Sequence, residues 1–148
     1  MQDYTIKQAT PNELEDCAYL FNEYRIFYKA ESAIQKAKEF IGDRLEAKDS
    51  IIFLLYRNKA ALGFAQLYPT YSSFKMAKVA VLNDLFVIEH ERGQGYGRAL
   101  IRTVSVYAKE NGFIRISLST ARDNPAQFLY ESIGFKESHF KFYNLDIL

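Results

Sequence analysis

The chain holds one cysteine, two histidines and three prolines among 148 residues, and each scarcity removes a class of protein. Cys17 alone cannot form an intramolecular disulfide, so the fold must be held by its core. No Cys or His cluster has metal-ligand spacing, which excludes a zinc site of the usual kinds. Cys17 falls in a helical pattern and reads as core filler, as free cysteines usually do. Long apolar runs are missing too. The longest, Ile51 to Tyr56, is far too short to span a bilayer, and the N-terminus shows neither a signal peptide nor an Arg-rich transit pattern, so a cytoplasmic protein without a membrane partner is expected. Nor is there an excess of one charge: the formal net charge is +1, whereas domains that wrap nucleic acid carry a clear basic excess.

What remains is an ordinary globular composition, 49% hydrophobic and 25% charged, long enough to bury a core within one domain spanning 1–148. Tyr4, Ile6 and Ala9 open a strand. Thr10-Pro11-Asn12-Glu13 then gives a cap, a proline for the first helical position and a capping-box glutamate, so a helix is expected over 11–28 with Leu14, Cys17, Ala18 and Phe21 inward. Ser32-Ala33-Ile34-Gln35 repeats that logic for a second helix, with Ala33, Ala37, Phe40, Ile41 and Leu45 on one side. Strands are expected at Ile51 to Tyr56, at Ala61 to Tyr71 with an interruption at Pro69, and at Val79 to Ile88. In the last, strict alternation puts Leu82, Asp84, Phe86 and Ile88 on one face. A helix ending at Asn111-Gly112, a strand at Ile114 to Thr120, a short helix at Pro125 to Ile133 and one or two final strands over Phe135 to Leu145 complete the pattern. The order implies an α/β domain with a mixed sheet.

Between the third strand and its helix stands Arg92-Gly93-Gln94-Gly95-Tyr96-Gly97-Arg98. Glycines here permit backbone conformations closed to other residues and let a ligand approach the N–H groups. At a helix start those donors lack intrahelical partners and the macrodipole favours an anion, so the loop suits a pyrophosphate. Arg92 and Arg98 could add charge-assisted hydrogen bonds. The P-loop pattern fails for want of Lys-Ser or Lys-Thr, and the dinucleotide fingerprint fails because Arg98 stands where its third glycine should be.

A second segment, Asp123-Asn124-Pro125-Ala126-Gln127-Phe128-Leu129-Tyr130-Glu131-Ser132-Ile133-Gly134-Phe135, adds to this. Together with the strand Leu82 to Val87 and the Arg-x-x-Gly-x-Gly loop, it resembles the GNAT superfamily of N-acetyltransferases. Phe21 to Tyr28 and Gln66 to Ser73 look like the histone and polyamine acetyltransferase subgroup. The resemblance implies a sheet whose two central parallel strands splay apart, acetyl-coenzyme A as cosubstrate in the gap, and direct attack by a primary amine of a polyamine, an amino-acid-like metabolite or a protein lysine. A non-catalytic coenzyme A-sensing module is the alternative. Whether the chain acts alone or as a homodimer is left open.

The chemistry needs a deprotonated amine, a polarised thioester and a proton for the leaving thiolate. Asp84, a charge on an otherwise apolar strand, is the candidate to hold or deprotonate the amine. By resemblance, a backbone N–H at Val87 polarises the carbonyl, Leu85 and Phe86 flank the pantetheine arm, and Gly93, Gln94, Gly95, Tyr96, Gly97 and Arg98 hold the pyrophosphate with Arg92. Tyr130 matches the family's general acid; a phenol of pKa near ~10 stays protonated at neutral pH and can protonate a thiolate whose conjugate acid lies near ~8.5. Asn124 is a cofactor-contact candidate, one position away from the family's usual asparagine, which is Asp123 here. Asn124 also reads as a helix cap. On the acceptor side, Tyr24, Tyr28, Tyr68 and Tyr71 suit an ammonium, whereas Arg25 suits a carboxylate. His90 and His139 have no assigned role.

Overall fold

Thr10 starts the first helical segment as its residue type predicts. Its N–H donates to Glu13 Oε1 at 2.8 Å while its Oγ1 accepts from Asn12 N at 3.2 Å, closing a reciprocal cap. The structure, a computed structural model describing residues 3–148, continues through a 3-10 turn, Pro11–Glu13, into helix α1, Leu14–Phe27. Helix α2, Ile34–Ala47, returns beside it. Ser32 does not cap α2 as expected. Its hydroxyl instead accepts from the buried Asn22 Nδ2 at 3.1 Å, and Asn22 Oδ1 takes the Ala33 N–H at 2.9 Å. A side chain from the neighbouring helix therefore satisfies the backbone at the start of α2.

Five strands, β1 Tyr4–Gln8, β2 Ile51–Arg57, β3 Ala60–Ser72, β4 Ala77–Val87 and β5 Ile116–Ser117, lie in sheet order β1-β2-β3-β4-β5. All neighbours are antiparallel except β4 and β5. Strand β2 is apolar and buried from Ile51 to Leu55 because both its faces are covered there. Ile51, Phe53 and Leu55 join the core beneath helix α3, Tyr96–Glu110, whereas Ile52 and Leu54 pack under α1 and α2. Cys17, 2% exposed, belongs to that second core, and burial pushes its thiol pKa up to about 12. It is core filler, as its position in the sequence suggested.

Four expectations need correction. Strand β3 runs uninterrupted through Pro69, because β2 pairs with β3 only up to Leu67 and the proline sits where no N–H is needed on that side. In β4 the alternation breaks: Gln66 pairs with Asp84 but Leu67 with Leu82, leaving Asn83 as a bulge. Leu82 therefore faces the α3 core while Asp84 and Phe86 face α1. The expected strand at 114–120 alternates only from Ile116 on; Ile116 and Ser117 stand in register with β4, and ahead of them Ile114 N bonds Lys78 O and Arg115 O accepts from Ala80 N. After helix α4, Ala126–Ile133, no final strand forms; residues 136–148 are exposed and unpaired. An extended segment without a partner strand has nothing to hold it in a ladder. Among the described residues, no helix is long and apolar enough to cross a membrane.

Gly63 brings β3 against the end of β4. A Cβ there would lie 2.9 Å from the Phe86 carbonyl oxygen and 3.2 Å from Val87 Cγ2, closer than packed atoms allow. Gly63→Ala is expected to lower stability by about 1–3 kcal/mol, the usual range for overpacking, measured by urea denaturation. Unchanged stability would show that β4 is free to shift.

Candidate active site

The end of β4 and the glycine loop form one continuous surface. Ile88 N donates to Leu62 O at 2.9 Å, and an antiparallel ladder alternates every residue. The N–H and C=O groups of Leu85 and Val87 consequently point away from β3, toward β5. Strand β5 has already left: its pairing ends at Val81 with Ser117. The gap thus presents the unpaired main-chain groups of Leu85 and the unpaired N–H of Val87, whose carbonyl is taken by Arg92 Nε.

The loop continues this polar edge. Gly93 and Gly95 have φ of +81° and +84°, and an added Cβ at either would meet no heavy atom within 4 Å. The backbone therefore faces open space. Gly95 precedes α3 without any side-chain cap, so the first-turn N–H groups are available to an anion. A cavity of ≈ 320 Å³ bordered by Gly95, Arg98, Ala99 and Arg102 lies beside it.

Side chains of the loop are differently disposed from the expectation. Arg92 turns inward: its Nε donates to Val87 O at 2.8 Å and its guanidinium lies 4.2 Å from the Phe27 ring centroid. Its Nε clamps the strand end. Arg98 bridges α3 to α4 through Ser132 Oγ at 2.8 Å. Gln94 and the buried Tyr96 direct their side chains to Arg57, which donates to Tyr96 Oη at 2.8 Å and to Glu91 Oε1 at 2.8 Å. The Arg57 hydrogen bond holds the Glu91 carboxyl below its ordinary range. Gln94 and Tyr96 can therefore meet a ligand through main chain. Sequence reasoning missed Arg57 and Glu91, which lie 34 residues apart with no local pattern linking them.

A second cavity, ≈ 140 Å³, opens where β4 and β5 part. Helix α1 contributes Tyr24 and Tyr28, β4 contributes Asn83 and Leu85, and Leu118 to Ala121 form the opposite wall. Tyr130 of α4 completes it. Burial raises the Tyr130 pKa above the ordinary phenol value, with a smaller contribution from Tyr28, so its hydroxyl is protonated at neutral pH. Behind Tyr24 lies Asp84, 3% exposed. Its Oδ2 accepts from Gln66 Nε2 at 2.7 Å and its Oδ1 from Asn83 Nδ2 at 3.3 Å. Desolvation raises its pKa, and those hydrogen bonds together with the Tyr24 phenol oppose the rise. Burial first, then the Asp84 charge, push Tyr24 above its ordinary range and Tyr68 up to about 12.

Two other candidates, Arg25 and Tyr71, fall elsewhere, and Asn124 has a second task. Arg25 is turned about 100° from Tyr24 around the helix and donates to Glu31 O at 3.1 Å, tying the α1–α2 loop. Tyr71 is 75% exposed at the far end of β3. Asn124 caps α4, its Oδ1 accepting from Ala126 N at 2.9 Å. It also borders the cavity, where its Nδ2 reaches Tyr28 Oη at 3.3 Å.

Residues 14–135 match the acetyltransferase (GNAT) family, and the chain belongs to it. It is 41% identical over 133 residues, 89% of each chain, to an uncharacterized N-acetyltransferase, YhfO, of Bacillus subtilis. It is 30% identical over 136 residues, covering 88% of this chain and 84% of the other, to the D-amino-acid N-acetyltransferase HPA3 of Saccharomyces cerevisiae. The crystal structure of a probable acetyltransferase superposes with a TM-score of 0.92 at 40% identity, over 97% of this chain and 98% of that one. An aminoglycoside N-acetyltransferase solved with CoA shares the fold at a TM-score of 0.81 and 20% identity, over 98% of this chain and 95% of that one. The protein is an N-acetyltransferase that uses acetyl-coenzyme A. The open glycine cradle fits a pyrophosphate, and the unpaired backbone of Leu85 with the Val87 N–H fits an amide-bearing arm.

Because folding raises the Asp84 pKa, the neutral form favours the native state. That contribution is complete below the unfolded carboxylate value, near pH ~4, and is lost as pH rises through the folded value. Asp84→Asn cannot titrate, so its melting temperature relative to the parent is expected to climb as pH rises from about 4 to 8. Thermal melts across that range check this; a flat or falling difference contradicts it.

Proposed function

We propose that the chain acetylates the primary amine of a flexible aliphatic acceptor, a polyamine or a lysine-like side chain. The observation that carries this is the cavity wall formed by Tyr24, Tyr28 and Tyr130 with the Asp84 carboxylate behind Tyr24. Ring faces and hydroxyls suit an ammonium, and the buried carboxylate adds long-range attraction. Arg25, the residue suited to a carboxylate, is engaged at Glu31. The size of the cavity suits a narrow alkyl amine. An amino-acid-like acceptor is a second reading, favoured by the similarity to HPA3.

When bound, acetyl-coenzyme A supplies an activated acetyl carbonyl and a thiolate that needs a proton. The free N–H groups of Gly93 to Arg98 would take its pyrophosphate, and the unpaired groups of Leu85 its pantetheine arm. The Val87 N–H would donate to the carbonyl oxygen, a role worth about 2.7–4 kcal/mol in well-measured cases. An alkyl ammonium, pKa near ~10.4, must lose a proton before it attacks. Asp84 would draw that proton through the Tyr24 hydroxyl or a water beside Asn83. Tyr130 Oη would release its own proton to the departing sulfur.

Tyr130→Phe retains the ring and its packing on Phe135, whose centroid is 5.9 Å away. Its maximal rate is expected to fall by about 10²–10⁴-fold with little change in coenzyme A affinity, as for loss of a general acid. Thiol release should be followed with polyamines, lysine peptides and free amino acids. Turnover confined to α-amino acids would overturn the proposed acceptor, and less than a threefold loss, measured where chemistry limits the rate, would remove Tyr130 from proton transfer.

A further inference from the structure

Asp84 is buried without a cation. It is 3% exposed, and it takes part in none of the ion pairs among the described residues. Its shortest contact is with an uncharged donor, Gln66 Nε2, at 2.7 Å, against 3.3 Å for Asn83 Nδ2. The two residues face each other across β3 and β4 as the last matched pair before the bulge at Asn83, so the register that turns Asp84 toward α1 also sets it opposite this amide. Gln66 is itself fully buried. Only half of its amide is satisfied by the protein, because no protein group partners Oε1, and a buried acceptor is seldom left so.

That asymmetry has a chemical consequence. Half a turn about the last side-chain bond exchanges Nε2 and Oε1 without changing the shape of the group, and an amide bonded at both ends would lose a bond by turning. Gln66 would lose none on its Oε1 side, and a water there serves either end equally well. The choice of orientation therefore falls to Asp84. Ionised, the carboxylate can only accept and takes the Nε2 N–H; protonated, it has a hydrogen to donate and takes Oε1.

We propose that Gln66 is a positioning residue whose side-chain amide follows the ionisation of Asp84, donating from Nε2 to the carboxylate and turning to accept at Oε1 once Asp84 holds the proton drawn from the acceptor ammonium. The source of that proton rests on the acceptor site proposed above. In the step an ammonium N–H bond breaks, an O–H bond forms on Asp84, and the electron pair stays on nitrogen for the attack; the proton then returns to bulk water before the next turnover. A Lys or Arg in place of Gln66 would hold Asp84 ionised, and an apolar neighbour would hold it neutral, whereas an amide aims the carboxyl in both states. The titratable groups around it do not compete for this task. Tyr24 and Tyr28 of α1, Tyr68 of β3 and Tyr130 of α4 face the pocket, and burial pushes the Tyr24, Tyr68 and Tyr130 phenols upward. Cys17 of α1, in the same core, is pushed up to about 12. Beyond Tyr68, Arg44 of α2 and Asp49 pair with each other at 2.7 Å.

The test begins on the parent protein without cosubstrate or acceptor, by nuclear magnetic resonance, with the Asp84 carboxyl carbon and the Gln66 side-chain amide assigned through the backbone. As Asp84 titrates, the Gln66 amide is expected to shift with the same midpoint, its low-field hydrogen-bonded proton present only on the alkaline side. An amide that stays constant, one that keeps that proton on the acid side, or an Asp84 that does not titrate while the protein stays folded overturns the proposal. Gln66→Met fills similar space with no donor. Because the bond to the ionised form is the stronger, the Asp84 midpoint in that variant is expected to rise by about one pH unit or more. In thiol-release assays kcat/KM should fall about tenfold per unit of that rise on the acid side and approach the parent's value at high pH. A loss by the same factor at every pH marks a structural role and overturns the proposal. The resonance titration needs neither turnover nor the variant, so failure of the acceptor panel leaves it standing, and an amide that ignores pH leaves the acceptor assignment standing.

Discussion

Two parallel strands that begin together and then separate are the constraint on which the rest of this structure depends. Strands β4 and β5 pair only at Ala80 with Ile116 and Val81 with Ser117. Beyond that point β4 retains its bonds to β3 on one side and has no partner strand on the other, where only the Val87 carbonyl is taken, by Arg92. Unpaired backbone groups inside a protein are costly unless something satisfies them. Here they line a gap that continues into the glycine loop, so the same defect that weakens the sheet makes an amide-like binding edge.

The surrounding elements keep that edge in place. Gly63 lets β3 approach Phe86 and Val87 closely, and Arg92 holds the Val87 carbonyl from the solvent end while stacking on Phe27. Arg57, Glu91, Gln94 and Tyr96 brace the outer side of the loop. The bulge at Asn83 has a further effect. It rotates Asp84 toward α1, where it meets Tyr24, while returning Leu85 and Val87 to the α3 face. One extra residue thereby puts a carboxylate on one side of the strand and the open backbone of Leu85 and the Val87 N–H along its edge.

Much of this was legible in the sequence because it depends on local rules. The Thr10 cap, the two-sided apolarity of Ile51 to Tyr56 and the strand–glycine–helix order follow from periodicity and capping chemistry, and the structure contains each. Tyr24, Tyr28, Asn124 and Tyr130, singled out in the sequence for different roles, border one cavity. What escaped was set by tertiary contact. No local pattern marks the bulge at Asn83, since it is a mismatch of register with β3. Arg25 and Arg92 looked like ligands for anions because their charge is visible in sequence, whereas their partners, the carbonyls of Glu31 and Val87, are not. The final strands expected over Phe135 to Leu145 were placed from the local sequence, which cannot say where a pairing partner lies.

The central claim is that the open backbone at the start of α3 receives the pyrophosphate. Calorimetric titration of coenzyme A into the parent and into Gly95→Val tests it most directly. A β-branched side chain would both strain the φ of +84° and project into the open space in front of the loop. The account predicts at least a tenfold loss of affinity, about 1.4 kcal/mol, in a variant that remains folded. Unchanged affinity in that folded variant would contradict it.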